Sequence, residues 1–214
     1  MTHPLLDGFK SFCAEAYRGG EAIMPRLVED GQSPDYFVIS CIDSRSNPGT
    51  IFKAAPGAFF AHKAMGAIVR PYKKGTALAA ALQFALHHNK VKEIIVLGHT
   101  GCGAIESLVE KIDDDEIASF IDVAKEGLHK AEGRCANVCS HDEMLRYTEE
   151  EIVLLSAENL KSYPSVSAAL AEGRATIRPW LFEMVHGDLL EYNTTTKTFT
   201  SIISDPNNKR VHHA

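Results

Sequence analysis

The 214-residue chain is short of positive charge, of long apolar runs and of cysteine pairs. Its 22 Lys and Arg stand against 28 Asp and Glu, a net charge of −6. With no basic surplus to neutralise phosphates, the composition argues against a nucleic-acid partner. The longest apolar runs, such as Ile94-Ile95-Val96-Leu97 and Ile152-Val153-Leu154-Leu155, fall far short of the roughly 20 residues of a spanning helix, so no membrane partner is expected. Met1 to Lys10 lack a basic start followed by an apolar stretch, which predicts no signal peptide and a cytoplasmic location. The five cysteines are odd in number and scattered through a chain large enough to bury its own core. That usage fits thiols kept for chemistry or metal in a reducing compartment better than a disulfide framework. Asn193-Thr194-Thr195 matches a glycosylation sequon but, without export, only by chance.

What is present is globular: 45% apolar and 23% charged residues, with no repeat or linker that splits the chain. Helical spacing at Leu5, Phe9, Phe12, Ala16, Ile23 and Leu27 is interrupted at Gly19-Gly20, and predicts one or two helices. Residues 1–34 are therefore expected to form a helical arm that packs on a partner subunit, and residues 35–214 one α/β domain. The continuous apolar run Tyr36 to Ile39 suits a strand buried on both faces of a parallel sheet. A second strand is expected over 58–62 after the Pro56-Gly57 turn, and the clearest strand over 92–97. Helices are expected over 75–88 and from Ala104 to Lys111, then a run over 113–160 broken near Gly127, Gly133 and Tyr147. Asp113-Asp114-Asp115-Glu116 suits a helix N-terminus. Late strands are expected over 175–185 and 189–192, with 198–203 as an edge. The alternation predicts an α/β fold with a mostly parallel central sheet flanked by helices, and ligands beyond the carboxyl ends of its strands.

Two strand ends carry the chemistry. Cys41-Ile42-Asp43-Ser44-Arg45 follows the first strand, and Gly98-His99-Thr100-Gly101-Cys102-Gly103 follows the clearest one. Together they offer Cys41, His99 and Cys102, a Cys₂His set that suits zinc with a fourth position open to water. The glycines at 98, 101 and 103 are expected to let the backbone turn around the metal. From Gly101 the pattern G-x-G-x-x-G fails at Glu106, which excludes a dinucleotide fingerprint. Asp43 and Arg45 lie two apart in an extended segment, so they project the same way and can pair in a bidentate fashion. Such a pair keeps Asp43 ionised as an acceptor; alternatively, Asp43 swings in as a fourth zinc ligand and closes the site.

Cys-x-Asp-Ser-Arg followed about 55 residues later by Gly-His-x-x-Cys-Gly resembles the β-class carbonic anhydrases, as a divergent member. The resemblance continues at Pro56-Gly57, at Val153-x-x-Ser156-x-x-Asn159-Leu160 and at Pro164-x-Val166, and spans about residues 36–195. It implies that Cys41, His99 and Cys102 ligate zinc and that Asp43 and Arg45 form the catalytic dyad. It also implies a homodimer, or a higher oligomer built on one, embraced by N-terminal helices. Where the family carries Arg-Asn-x-x-Asn, this chain has Lys63, Ala64 and Ala67, and Lys does not reproduce the planar fork of Arg. The strand concerned walls the substrate cavity in the family, so cavity shape and polarity are expected to differ here.

The expected activity is hydration of carbon dioxide to bicarbonate and a proton by zinc-bound hydroxide, with the pKa of the bound water lowered from 15.7 to the order of 7. Asp43 accepts the hydroxide's proton, and His62 is a candidate shuttle to solvent. One alternative is a carbonyl sulfide or carbon disulfide hydrolase that uses the same hydroxide. Another is a non-catalytic zinc or bicarbonate-binding module. Cys135-x₃-Cys139-x-His141, with His129 nearby, offers donors for a second metal but reads as incidental thiols on a helical surface. His87-His88 and His212-His213 read as solvated ends, Trp180 and Phe182 as core or dimer packing, and Tyr192 as hairpin packing.

Overall fold

The computed structural model describes residues 3–19, 22–135 and 138–203. Its centre is a six-stranded sheet ordered β2-β1-β3-β4-β5-β6. The strands are β1 Tyr36–Ser40, β2 Phe59–Lys63, β3 Glu93–His99, β4 Thr176–Glu183, β5 Asp188–Asn193 and β6 Thr198–Ser201. The first four are mutually parallel, and β5 and β6 add an antiparallel edge. This is the expected fold. The middle strand β3 is Ile/Val/Leu-rich and buried along nearly its whole length, as a central parallel strand must be. It ends at His99 rather than at Leu97.

Nine α-helices surround the sheet among the described residues: α1 Pro4–Ala16, α2 Ile23–Glu29, α3 Pro48–Ile51, α4 Ala77–His87, α5 Gly103–Val109, α6 Asp115–Ile121, α7 Lys125–Arg134, α8 His141–Leu160 and α9 Pro164–Ala171. Asp115 and Glu116 stand in the first turn of α6, as the acidic run led one to expect. The expected breaks near Gly127 and Gly133 fall at the two ends of α7, just outside each glycine, but none falls near Tyr147. Both glycines lie inside α7, and Tyr147 inside the unbroken twenty-residue α8. Gly127 is there because α7 crosses α8 closely: a Cβ at 127 would stand 2.9 Å from Ile152 Cγ1. A capping box starts α8, in which Ser140 Oγ accepts the Glu143 N–H and Glu143 Oε2 accepts the Ser140 N–H. Glu149, Ile152, Val153, Ser156 and Leu160 then fall on one buried face.

The two faces of the sheet are covered unequally. On one, Phe37, Ile39, Ile94, Val96 and Leu181 form the main core with residues of α4, α8 and α9. On the other, Val38, Ile95 and Leu97 are covered only by partly buried residues such as Phe52, Phe59 and Trp180. The N-terminal arm buries only Ala16 of α1, while Leu5 and Phe9 are 78% and 60% exposed.

Candidate active site

Register brings the two chemical segments together. Ser40 of β1 pairs with Leu97 of β3, so the residues just beyond β1 lie beside the end of β3. Cys41 follows β1 directly, His99 is the last residue of β3, and Cys102 is the N-cap of α5. Gly98 serves close packing rather than the turn, because a Cβ there would collide with Val153 of α8. Gly101, at φ +62°, is the glycine the turn needs, whereas Gly103 is an ordinary first residue of α5.

Cys41, His99 and Cys102 are all buried. The two sulfurs are 3.9 Å apart, and all three donor atoms lie within 4.8 Å of one another. His99 is 1% exposed. Its Nδ1 stands 3.0 Å from the Thr100 carbonyl, an acceptor that places the ring N–H on that nitrogen. Nε2 is buried with no hydrogen-bond partner. Cys41 Sγ accepts the backbone N–H groups of Asp43 at 3.4 Å and Gly66 at 3.3 Å. Beside Cys102, and with these amides and His99 around it, the Cys41 thiol falls well below its usual pKa against the opposing effect of burial. Cys102 rises, because its thiol donates to the Cys41 thiolate and is buried next to that charge. Burial pushes His99 down, but the Cys41 sulfur, the Thr100 carbonyl and Asp43 push it up by more.

Asp43 and Arg45 pair as expected. Arg45 Nε donates to Asp43 Oδ1 at 3.1 Å, Nη2 to Oδ2 at 2.8 Å, and the Arg45 backbone N–H to Oδ1 at 2.8 Å. Nη2 also donates to the Gly101 carbonyl at 3.2 Å, which ties the pair to the second segment. The Arg45 side chain and N–H hold the Asp43 pKa down to about 2. Asp43 Oδ2 is 4.0 Å from His99 Nε2.

His62 is not brought to this cluster. It sits on the edge strand β2, two residues after Phe60 and on the same face, where Phe60 packs on Phe37, and burial lowers its pKa. Cys135 and Cys139, expected as incidental thiols, are joined in a disulfide that closes the α7–α8 junction. Their spacing of four fits one tight connection between helix ends, which the helical-surface reading did not provide. His141 instead lies near Glu106 and Glu110, all three exposed. Trp180 packs edge-on to Phe52, Tyr192 packs on Phe199, and His87 and His88 are exposed. His212 and His213 lie outside the described residues.

Two more residues lie near the site: Lys63, already singled out where the family carries Arg, and Glu149, which the sequence reading missed. Lys63 feels the charges of Cys41 and Asp43, although burial lowers its pKa. Glu149 is 1% exposed, and its Oε1 accepts the Cys102 N–H at 3.1 Å; burial raises its pKa to about 7. The signal for Glu149 was its place three and four residues before Ile152 and Val153, on the apolar face of a helix.

The donor set fits zinc. Two Zn–S bonds of about 2.3 Å at a tetrahedral angle hold their sulfurs about 3.8 Å apart, and here the spacing is 3.9 Å. An unpartnered buried imidazole nitrogen completes the set. Fold and site together define the class, an α/β enzyme with a metal-binding cluster at the carboxyl ends of its parallel strands. Comparison with known proteins narrows it. The carbonic anhydrase family profile matches residues 36–189. The chain belongs to the β-carbonic anhydrase family, lyases of the carbonate dehydratase class. It is 25% identical over 209 residues to a carbonic anhydrase of Synechococcus elongatus, across 94% of this chain and 75% of the relative. Among solved structures it resembles the β-carbonic anhydrase CcaA (TM-score 0.82, 23% identity, 92% and 98% of the two chains). Tetrameric β-carbonic anhydrases from Sordaria macrospora are similar at TM-score 0.80, with 23% identity and the same coverage. No described helix is long and apolar enough to cross a membrane.

Proposed function

We propose that the protein hydrates carbon dioxide to bicarbonate with a zinc ion held by Cys41, His99 and Cys102, and with Asp43 and Arg45 as its catalytic dyad. The observation that carries this reading is the buried, unpartnered His99 Nε2, which shares one small space with the two sulfurs and lies 4.0 Å from a carboxylate fixed by Arg45. Zinc bound there supplies the Lewis acidity that makes a water nucleophilic near neutral pH. The Thr100 carbonyl holds the tautomer of His99, and the Asp43 and Gly66 amides favour the thiolate of Cys41. Asp43, kept ionised, would accept a hydrogen bond at Oδ2 from the attacking water and so orient a lone pair of that water toward the substrate carbon, while the proton that the water gives up leaves to solvent. Arg45 occupies both oxygens of Asp43, and this keeps the carboxylate from closing over the metal.

The test is stopped-flow carbon dioxide hydration by zinc-loaded protein across about pH 6.5 to 9.5, with sulfide release from carbonyl sulfide followed in parallel. Fast hydration with negligible sulfide release is expected. Sulfide release with poor hydration would favour the hydrolase alternative. That alternative is kept alive by one stretch: Gly66 donates to Cys41 Sγ and Lys63 senses the site's charge, yet residues 63–67 depart from the family pattern. No turnover at any pH would leave a binding module.

The working unit we propose is a dimer. The exposed apolar stripe of α1 and the lightly covered sheet face support it, and the Sordaria relatives are tetramers. The proposed setting is the cytoplasm, where the thiols of the site stay reduced. Cell fractionation tests that placement, and Cys135–Cys139 should be found open in protein from the cytoplasmic fraction.

A further inference from the structure

We infer that Glu149 is a positioning residue for the metal centre, in that its carboxylate pins the turn that carries Cys102 and so fixes the approach of that sulfur to Cys41. The inference rests on the zinc reading above and deepens it.

Glu149 lies in the third turn of α8 and is among the most buried side chains of the protein. A carboxylate in that position carries a large desolvation cost, so it persists only where the fold gives it a use. Its Oε1 accepts the backbone N–H of Cys102 at 3.1 Å. No side chain caps α5, and Gly101 just before Cys102 is a left-handed glycine with open space around it. The turn therefore has little intrinsic stiffness at the point where it must present a sulfur 3.9 Å from another. The rigid elements that frame it are β3, which ends at His99, and α8, which packs so closely on Gly98 that no Cβ fits. Glu149 is the side chain by which α8 reaches past β3 to the metal turn itself. Its bond is to the backbone of a ligand rather than to a donor atom, and it acts through that backbone.

Helix α8 provides its own control. Ser156, two turns further along and equally buried, accepts the Val69 N–H at 3.1 Å. That is the same kind of helix-to-loop bond, made to a loop that carries none of Cys41, His99 or Cys102.

The experiment compares wild type with E149A, E149D, E149Q and S156A. Zinc affinity is measured by competition with a chromophoric chelator. The thiolate-to-metal absorption of the cobalt-substituted proteins and the melting of the metal-free proteins are recorded alongside. E149A removes the acceptor and E149D shortens it, and each should lose about 10–100-fold in zinc affinity, the usual cost of an outer-shell partner. Their cobalt bands should shift. E149Q keeps an acceptor of the same length and should stay within about threefold of wild type with an unshifted spectrum. S156A should melt lower yet bind zinc as wild type does. Wild-type affinity and spectra in both E149A and E149D would overturn the inference, as would an equal loss in S156A. If E149A does not fold, the contrast between E149D and E149Q decides in the same way. Wild-type protein that binds no zinc would instead overturn the zinc reading on which this one stands.

Discussion

Arg45 makes a prediction that separates orientation from charge. With Arg45 present the Asp43 pKa is about 2, and without the guanidinium it relaxes toward the ordinary 3.8, so Asp43 is ionised at neutral pH in either case. Removing the guanidinium should therefore cost geometry, not ionisation. Arg45→Ala is expected to bind zinc normally and to lower hydration about 100-fold or more, by the same factor across about pH 6 to 9. A loss that changes strongly with pH in stopped-flow assays would mean that Asp43 titrates there. Stability follows a different window. A carboxylate whose folded pKa lies below its ordinary value of 3.8 contributes above that value and loses the contribution as pH falls through about 2. The gap in melting temperature between wild type and Arg45→Ala should thus be open at pH 7 and closed near pH 2. The donors themselves give the simplest check: Cys41→Ala, His99→Ala and Cys102→Ala should each purify without zinc, as measured by metal analysis, and full occupancy in all three would remove the site.

At the scale of elements, the sequence announced what is local and periodic and hid what is made across elements. The strands β1 and β3 and the helix α4 were legible because their apolar runs stay apolar. The grouping of Cys41, His99 and Cys102 and the pairing of Asp43 with Arg45 were legible because the two segments that carry them each follow a strand. The roles of two glycines were misread. Gly127 looked like a break, and Gly98 like a turn, because a single chain does not show the partner that leaves no room for a Cβ. The Glu149-Glu150-Glu151 run of α8 likewise masked a fully buried carboxylate beside partly buried ones that pair with Arg134 and Arg146. Gly98→Ala tests this account: overpacking against Val153 should cost about 1–3 kcal/mol in urea unfolding. The double variant Gly98→Ala, Val153→Ala should recover part of it, since the Val153 methyl groups are what the new Cβ meets. Loss without recovery would place the strain in the backbone of β3. At the α7–α8 junction, the Cys135–Cys139 bond closes a loop of only a few residues. Cys139→Ser should cost about 2 kcal/mol in oxidised protein and almost nothing under reductant.

For the whole molecule, the unequal covering of the sheet is the feature with the widest reach. One face is a full core under α4, α8 and α9, while the other presents Phe52, Phe59 and Trp180 half-covered, and α1 holds its apolar stripe away from its own domain. A double change Leu5→Lys, Phe9→Lys should convert the proposed dimer to a monomer in sedimentation velocity at micromolar concentration, without altering the fold by circular dichroism. A variant that sediments as wild type does would assign the contact to another surface.

The placement of Cys41 and Cys102 also sets an order of events in folding. The two cysteines are 61 residues apart in the chain, and they meet only because β1 and β3, joined by a long crossover through β2 and α4, lie side by side in one register. Closing such a crossover is an entropic barrier that local helices do not face. A half-built site is thus a single thiol or a His-x-x-Cys turn, neither of which holds a metal firmly. The centre should therefore be unable to capture metal ahead of the sheet. In refolding with cobalt present, thiolate–metal absorption should rise no faster than the fluorescence change of Trp180, the chain's single tryptophan, which pairs with Leu97 of β3. The metal site would then serve as a clock for the slowest pairing in the fold.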